Sequence, residues 1–314
     1  MIEILTSGPF STIQDKGRFG YQHLGVPTSG ALDGDALLIG NALIGNDAND
    51  SAIEICFGGF SAKAYQDCAI CLTGSIAAHI IITAKDGTKT TYEAGRTVVI
   101  TVGDSIEIPP FGDSLSCLLC LSGGVDVPVI YGSRSTTVTA KLGGYEGRIL
   151  AAGDRLALRA YEARSIQNAA QDAYASLSAK PTRLRIMFGP QDFWFTHGAL
   201  EALTAAPYRI SAQSSRMGMR LIGACLAHKG AADIISDGMV RGAIQVPGDG
   251  QPILAMADHG TMGGYTKIGC VISADIPAMG RLRPHDEVRF EVVTAKEAEA
   301  ALSAQKALIT AALS

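Results

Sequence analysis

From Ala52 to Leu158 the chain runs as short apolar or alternating stretches: AIEICFGGF, CAICLTGSIAAHIII, TVVITV, SIEI, SLSCLLCLSGG and RLALRA. Gly, Asp or Pro punctuates them roughly every 8 to 15 residues, a cadence that predicts an antiparallel barrel or sandwich rather than alternating strands and helices. DGDALLIGNALIGN (33–46) departs from it, because Ala36, Leu37, Ile39, Ala42, Leu43 and Ile44 recur at helical spacing behind Asp33, a good N-cap. Residues 162–183 are polar and alanine-rich and end at a proline, which predicts a helical linker. Beyond it come a strand (RLRIMFG), a helix (QDFWFTHGALEAL), strands in GAIQVP, QPILAMAD, KIGCVIS and EVRFEVV, and a C-terminal helix in KEAEAALSAQKALITAAL. Two mostly β halves are expected, 1–165 and 184–314, with the linker at 166–183 between them. RFGYQHLG (18–25) and RMGMRLIG (216–223) share Arg, Gly, an aliphatic residue and Gly at one spacing, as a duplicated domain would.

Composition narrows the function classes. The 314 residues, 47% hydrophobic, suffice for two cores. The formal charge is −4 and no basic block could track phosphates, which argues against nucleic acid. The opening MIEILTSGPF lacks a basic start, and no apolar run approaches the roughly 18 residues needed to cross a bilayer. A cytoplasmic protein with no membrane partner is the expectation. Seven cysteines, an odd number without a secretion signal, argue for reduced thiols. Cys68 with Cys71 and Cys117 with Cys120 have the CxxC spacing of a zinc ribbon, but both pairs lie in apolar strands, where residues three apart face opposite ways. Core cysteines and no metal site are predicted. No two of the six histidines share a metal-site spacing, and neither a phosphate loop nor a GxSxG elbow is present.

Polar chemistry gathers in four glycine-bearing runs: TIQDKGRFGYQHLGVPTSGALD (12–33), GGVDVPVIYGSRSTT (123–137), AQSSRMGMRLIG (212–223) and ADHGTMGGYTKIG (257–269). Each joins hydrogen-bonding side chains and an Arg or Lys to glycines that let backbone approach a ligand, although hairpin loops need the same residues. Asp258 ends the apolar run ILAMA and precedes His259 and Thr261, so a rigid element carries a carboxylate into a glycine-rich loop. A capping or turn role fits that residue equally well.

These runs, together with GNALIGN, GAIQVPGDGQPILAMAD and TMGGYTKIGCVISADI, give the chain its resemblance to a known family. Over about residues 3 to 292 it resembles the biotin-dependent carboxyltransferase family, which includes the C subunit of 5-oxoprolinase (PxpC), the antagonist protein KipA and the carboxyltransferase part of urea carboxylase. The resemblance implies a mainly β fold of two cyclophilin-like β-barrel domains with a few peripheral helices. It implies a hydrolase component acting on a cyclic amide: the C subunit of an ATP-dependent 5-oxoprolinase that opens 5-oxoproline (pyroglutamate) to L-glutamate, inactive without PxpA-like and PxpB-like partners. ATP would then act at the level of the complex, with no cofactor held by this chain. Two alternatives stay open: a carboxyltransferase component drawing on an external carboxybiotin for a urea-like or amide substrate, and a non-catalytic regulator that binds a kinase-inhibitor protein.

Carried over residue by residue, the resemblance implies Asp258, Asp15 and Arg216 as catalytic, with Asp258 moving the proton. It implies Gln14, Arg18, Ser29, Asp33, Arg134, Gln213, Ser214, Gln245, Thr261 and Tyr265 as substrate-binding. Residues 12–33 and the Arg134, Arg216 and Asp258 loops would then wall one cleft. The chain departs from the family pattern after Asp258, where RQTTGGYP is replaced by HGTMGGYT, and in RLRPHDEV, where Pro-Gly is common. The first departure removes a Gln amide and puts the substrate in question more than the fold.

Overall fold

The computed structural model describes residues 1–160 and 168–313. The chain forms two compact units, and neither is a single stretch: Met1–Arg18, Ser29–Ala179 and Lys306–Ser314 make the first, Phe19–Thr28 and Lys180–Gln305 the second.

The first unit contains strands β1 (Ile2–Ser7), β2 (Phe10–Gln14), helix α1 (Gly34–Leu43), β3 (Ala52–Cys56), β4 (Phe60–Ala64), β5 (Cys68–Thr73), β6 (His79–Thr83), β7 (Lys89–Glu93), β8 (Thr97–Ile100), β9 (Ser105–Ile108), β10 (Ser116–Leu121), β11 (Arg155–Leu156) and helix α2 (Gln171–Ser178). They pair as two sheets, β11-β1-β4-β9-β6-β7 and β2-β3-β10-β5-β8, around one core. The first sheet contributes Ile4, Phe60 and Ile106 to that core, and the second contributes Ile13, Ile70 and Leu119. The second sheet is covered on its other face as well. There Leu37, Ile39 and Leu43 of α1 and Tyr174 and Leu177 of α2 pack on Cys71, Leu118 and Cys120. Burial on both faces is why β5 and β10 read as unbroken apolar runs rather than alternating ones.

The CxxC pairs follow the same geometry. Cys68 and Cys117 enter the inter-sheet core while Cys71 and Cys120 point to the helices, with Cys71 opposite Cys120 across β5 and β10. Helix α1 begins where the sequence places it, with the Asp33 carboxylate accepting from the Ala36 amide at 3.0 Å. The run predicted as a helical linker contains helix α2. Residues 162–167 of it lie outside the described residues, and in α2 Tyr174 and Leu177, one helical turn apart, pack against the first unit.

The second unit contains β12 (Arg183–Phe188), helix α3 (His197–Ala205), β13 (Tyr208–Ile210), β14 (Gly218–Ile222), β15 (Asp233–Gly238), β16 (Ala243–Val246), β17 (Ile253–Ala255), β18 (Met262–Val271), β19 (Glu287–Val292) and the start of α4 (Ala295–Ala312). Seven strands run β12-β19-β13-β14-β17-β16-β18, and antiparallel pairing of β12 with β18 (Ile186 opposite Val271, Phe188 opposite Gly269) closes them into a barrel. β15 adds to β18 as an eighth strand. The mainly β architecture with a barrel is thus what the chain forms.

Two local expectations fail for identifiable reasons. QDFWFTHGALEAL is a 3-10 turn at Asp192–Trp194 and then α3, because fully buried Phe195 takes an extended conformation between them and Thr196 recaps the helix by accepting from the Ala199 amide at 3.2 Å. The octets at 18–25 and 216–223 are not equivalent locally, since the first contains a 3-10 turn at Gln22–Leu24 and the second contains β14. No helix among the described residues is long and apolar enough to cross a membrane.

Burial pushes the Cys68 and Cys71 thiols up to about 12 and the Cys117 and Cys120 thiols well above the usual cysteine value, whereas Cys225 is exposed. Titration of the native protein with a chromogenic disulfide reagent will therefore show one fast thiol, lost in Cys225→Ser. Cys56, Cys68, Cys71, Cys117 and Cys120 will react only after denaturant is added.

Candidate functional site

In the first unit the predicted residues meet in a buried polar knot. β2 delivers Gln14 and Asp15 to its end, where both are fully buried. The Asp15 carboxylate accepts from the Gly17 amide at 2.8 Å, Ser133 Oγ at 2.6 Å, the Arg134 amide at 2.6 Å and Ser135 Oγ at 2.5 Å. Four donors leave it no open lone pair for a substrate proton. Arg18, also fully buried, donates from Nε to the Ile130 carbonyl at 3.2 Å, from Nη1 to Thr137 Oγ1 at 3.0 Å and from Nη2 to the Ser135 carbonyl. Ser29, at a positive φ of 57°, shares a 2.9 Å hydrogen bond with Thr137 Oγ1. Gly143 belongs to the same packing: a Cβ there would meet Arg18 Nη2 and the Ser135 carbonyl inside contact distance. Gln14 donates from Nε2 to Thr12 Oγ1 and to the Thr136 carbonyl, both at 3.0 Å, while its buried Oε1 has no partner among the described residues.

The second unit has a cavity of about 320 Å³ on the outer face of its barrel wall. Register explains its position. Arg220 of β14 lies opposite Ile253 of β17, which lies opposite Gln245 of β16, so the three make one cross-strand row. The next row pairs Gly218 with Ala255. The alternate residues Met219, Leu254 and Ile244 are buried on the barrel's inner side. A small apolar cluster of Met239, Ala243 and Ala255 backs the outer row. Met217, Met239 and Met262 line the cavity with the row, joined by Gln213, Ser215 and His259.

Arg216 and Asp258 brace this region. Arg216 Nε donates to Asp258 Oδ2 at 2.8 Å and Nη2 to Oδ1 at 3.1 Å, and the Asp258 amide donates to the Arg216 carbonyl at 2.8 Å. With side chains only 9% and 6% exposed, the two-point pair ties the turn before β14 to the loop after β17. His259 follows at 3% exposure and donates from Nδ1 to the Gly260 carbonyl at 2.7 Å. A bond to a carbonyl puts the ring proton on Nδ1 and leaves the lone pair on Nε2. Burial pushes the imidazole below its ordinary 6.5; the Gly260 carbonyl opposes this, positive Arg241 reinforces it and Asp258 opposes it.

Of the residues predicted here, Gln213 and Gln245 line the cavity, while Arg216 and Asp258 grip each other beside it. Ser214 accepts from the Arg220 amide at 3.1 Å, holding the turn, and the Thr261 carbonyl accepts from the Met239 amide at 3.0 Å. Tyr265 sits on β18 opposite Asp233 of β15. Asp33 caps α1, and Arg134 enters the knot through its backbone amide. Sequence reasoning passed over Ser133 and Thr137 in the knot and Arg220, Ser215 and Met239 in the cavity. Arg220 had a signal, since MRL alternates apolar, charged, apolar within a strand-like run. Met239 had none that a core methionine lacks.

With this geometry in view, residues 24–292 match the family described as carboxyltransferase domain, subdomain A and B. The chain belongs to that family. This carboxyltransferase-domain chain is 35% identical over 300 residues to the C subunit of 5-oxoprolinase from Escherichia coli (strain K12), covering 95% of this chain and 93% of that one. It is 30% identical over 310 residues to urea amidolyase of Saccharomyces cerevisiae, covering 92% of this chain but 16% of that protein. The crystal structure of Kluyveromyces lactis urea carboxylase superimposes with a TM-score of 0.90 at 25% identity, over 98% of this chain and 29% of that chain. The chain therefore matches the Escherichia coli subunit over nearly its whole length, and urea amidolyase and urea carboxylase as a segment of a longer polypeptide.

Two measurements test this description. Asp258→Ala and Arg216→Ala will each lower the free energy of unfolding in urea by about 3 kcal/mol, and the double variant by far less than the sum, since each single change strands the other member of the buried pair and the double change removes both. The His259 ring proton signal will titrate by NMR with a midpoint below 6.5. Because the folded state disfavours the imidazolium that the unfolded chain forms, stability will decline as pH falls through 6.5, and His259→Gln will flatten that slope.

Proposed function

We propose that this chain is the C subunit of an ATP-dependent 5-oxoprolinase, a hydrolase complex that opens 5-oxoproline to L-glutamate with PxpA-like and PxpB-like partners in the cytoplasm. The observation that carries the reading is the end-to-end match to a 5-oxoprolinase subunit, 95% of this chain against 93% of the relative. Lactam opening needs a donor to the carbonyl oxygen as it gains charge and a group that manages the proton at nitrogen. The cavity supports it by carrying Gln245 as a buried amide donor and His259 as a neutral imidazole. ATP would bind in a companion chain, and this one would hold the amide.

A second reading is favoured by the TM-score of 0.90 to urea carboxylase. On that reading the chain transfers a carboxyl group from carboxybiotin on a separate carrier protein to an amide nitrogen, which asks for the same donors around a planar amide.

Co-expression with its genomic neighbours separates the two. With 5-oxoproline and ATP the assembled complex will release glutamate, and a complex lacking this chain will release at least tenfold less. A folded complex that releases none, yet consumes ATP and bicarbonate when a biotinylated carrier and urea are supplied, would replace the first reading with the second.

A further inference from the structure

We propose that the barrel-wall cavity recognises a small cyclic amide bearing a carboxylate, with Arg220 taking the carboxylate, Gln245 Nε2 donating to the amide carbonyl and His259 Nε2 accepting from the amide N–H. The choice of 5-oxoproline as that amide rests on the reading above, whereas the donor and acceptor pattern stands on the cavity itself. Gln245 Nε2 is buried at the cavity with no partner among the described residues, an arrangement that is unfavourable until a ligand or water completes it. Arg220 is a lining cation whose guanidinium makes no hydrogen bond or ion pair among the described residues, in contrast to Arg216, which is committed to Asp258. His259 has one ring nitrogen engaged by Gly260 and the other open. No Asp or Glu lines the cavity, so an incoming carboxylate meets no like charge there.

Spacing and shape fit this set. Arg220 and Gln245 are two strands apart on either side of Ile253, about 10 Å between backbones, a span that two long side chains bridge around a single small ring. The thioethers of Met217, Met239 and Met262 offer polarizable apolar walls to ring methylenes. A lactam in a small ring is locked cis, so its C=O and N–H lie side by side on one edge. One neutral donor and one neutral acceptor are the complement of that edge. Gly263 makes room for the donor: a Cβ there would lie 2.3 Å from Gln245 Nε2 and 2.8 Å from Met239 Sδ.

Calorimetry on the full chain, alone and assembled with its partners, tests the assignment with three probes: 5-oxoproline, 2-pyrrolidinone, which lacks the carboxylate, and cyclopentanecarboxylate, which lacks the amide. Arg220→Gln will weaken 5-oxoproline and cyclopentanecarboxylate about tenfold or more and leave 2-pyrrolidinone unchanged. Gln245→Ala, Gly263→Ala and His259→Phe will weaken 5-oxoproline and 2-pyrrolidinone and spare cyclopentanecarboxylate. Equal losses for all probes in these variants, or no binding of 5-oxoproline in either state, would overturn the proposal. So would undiminished glutamate release by complexes carrying Arg220→Gln and Gln245→Ala, which would leave the 5-oxoprolinase reading intact. Probe-selective binding losses without any turnover would support the site and sink that reading instead.

Discussion

Closure of the second unit's barrel through β12 and β18 is the constraint on which its chemistry depends. In a closed barrel a side chain has two directions, inward to the core or outward, and register decides which for every position at once. β18 carries the register by pairing with β12 and β16 along its C-terminal half and with β15 along its N-terminal half. A bulge opposite the Ile244–Gln245 step, where β18 carries one extra residue at Ile268, adjusts the wall beside the cavity. The outcome is an inner row of Met219, Leu254 and Ile244 and an outer row of Arg220, Ile253 and Gln245. A slip of one residue would bury Arg220 and expose the core, so the fold cannot be kept while the row is lost.

The charged and polar residues divide by what already holds them. Asp15, Arg18, Arg216 and Asp258 have the chemistry of catalytic groups, yet the protein engages them internally: Asp15 with four donors, Asp258 with a two-point guanidinium. Buried charges survive only with such partners, because removing either charge from water costs several kcal/mol. Groups that are neutral when folded, or that reach solvent, can stay open without that cost. Gln245, His259 and Arg220 occupy this second category, and the first unit adds the buried Gln14 Oε1.

Legibility of the fold tracked how local its causes were. Asp33 and the apolar spacing behind it specify α1 from one turn of sequence, and the residues-three-apart rule sends Cys68 and Cys71 to opposite faces as soon as β5 is recognised. The run 162–183 read as a linker because its alanines and polar residues carry no strong stripe, and only the α1 and sheet surfaces show what Tyr174 and Leu177 cover. At the site, residue type drew attention to carboxylates and arginines, while the deciding property was whether a partner lies close in space. Asp258 and Arg216 are 42 residues apart, and Asp15 and Ser135 are 120 apart, separations that no local pattern encodes. Gln245 was legible as a candidate, but its unmet donor depends on Gly263 across the sheet.

The positions at which this chain departs from the pattern of the family it resembles gain a physical meaning from the cavity. His259, Gly260 and Met262 all line it. Thr266, the fourth departure in that run, instead is fully buried, with its amide donating to the Ala232 carbonyl at 3.1 Å and its hydroxyl 3.0 Å from His228 Nε2. A proline there could make neither bond, so Thr266 bears on how β18 is held, whereas the other three bear on what the cavity offers. A His in place of an Arg exchanges an obligatory cation for a neutral group that can accept a hydrogen bond. With Gly260 contributing no side chain, the positive charge at the cavity then comes from Arg220 on the strand row rather than from the loop. The loop thus presents a neutral ring beside Asp258, which anchors it to Arg216. An anchor in the residue before His259 holds the frame of the loop independently of which side chains follow it along the cavity wall.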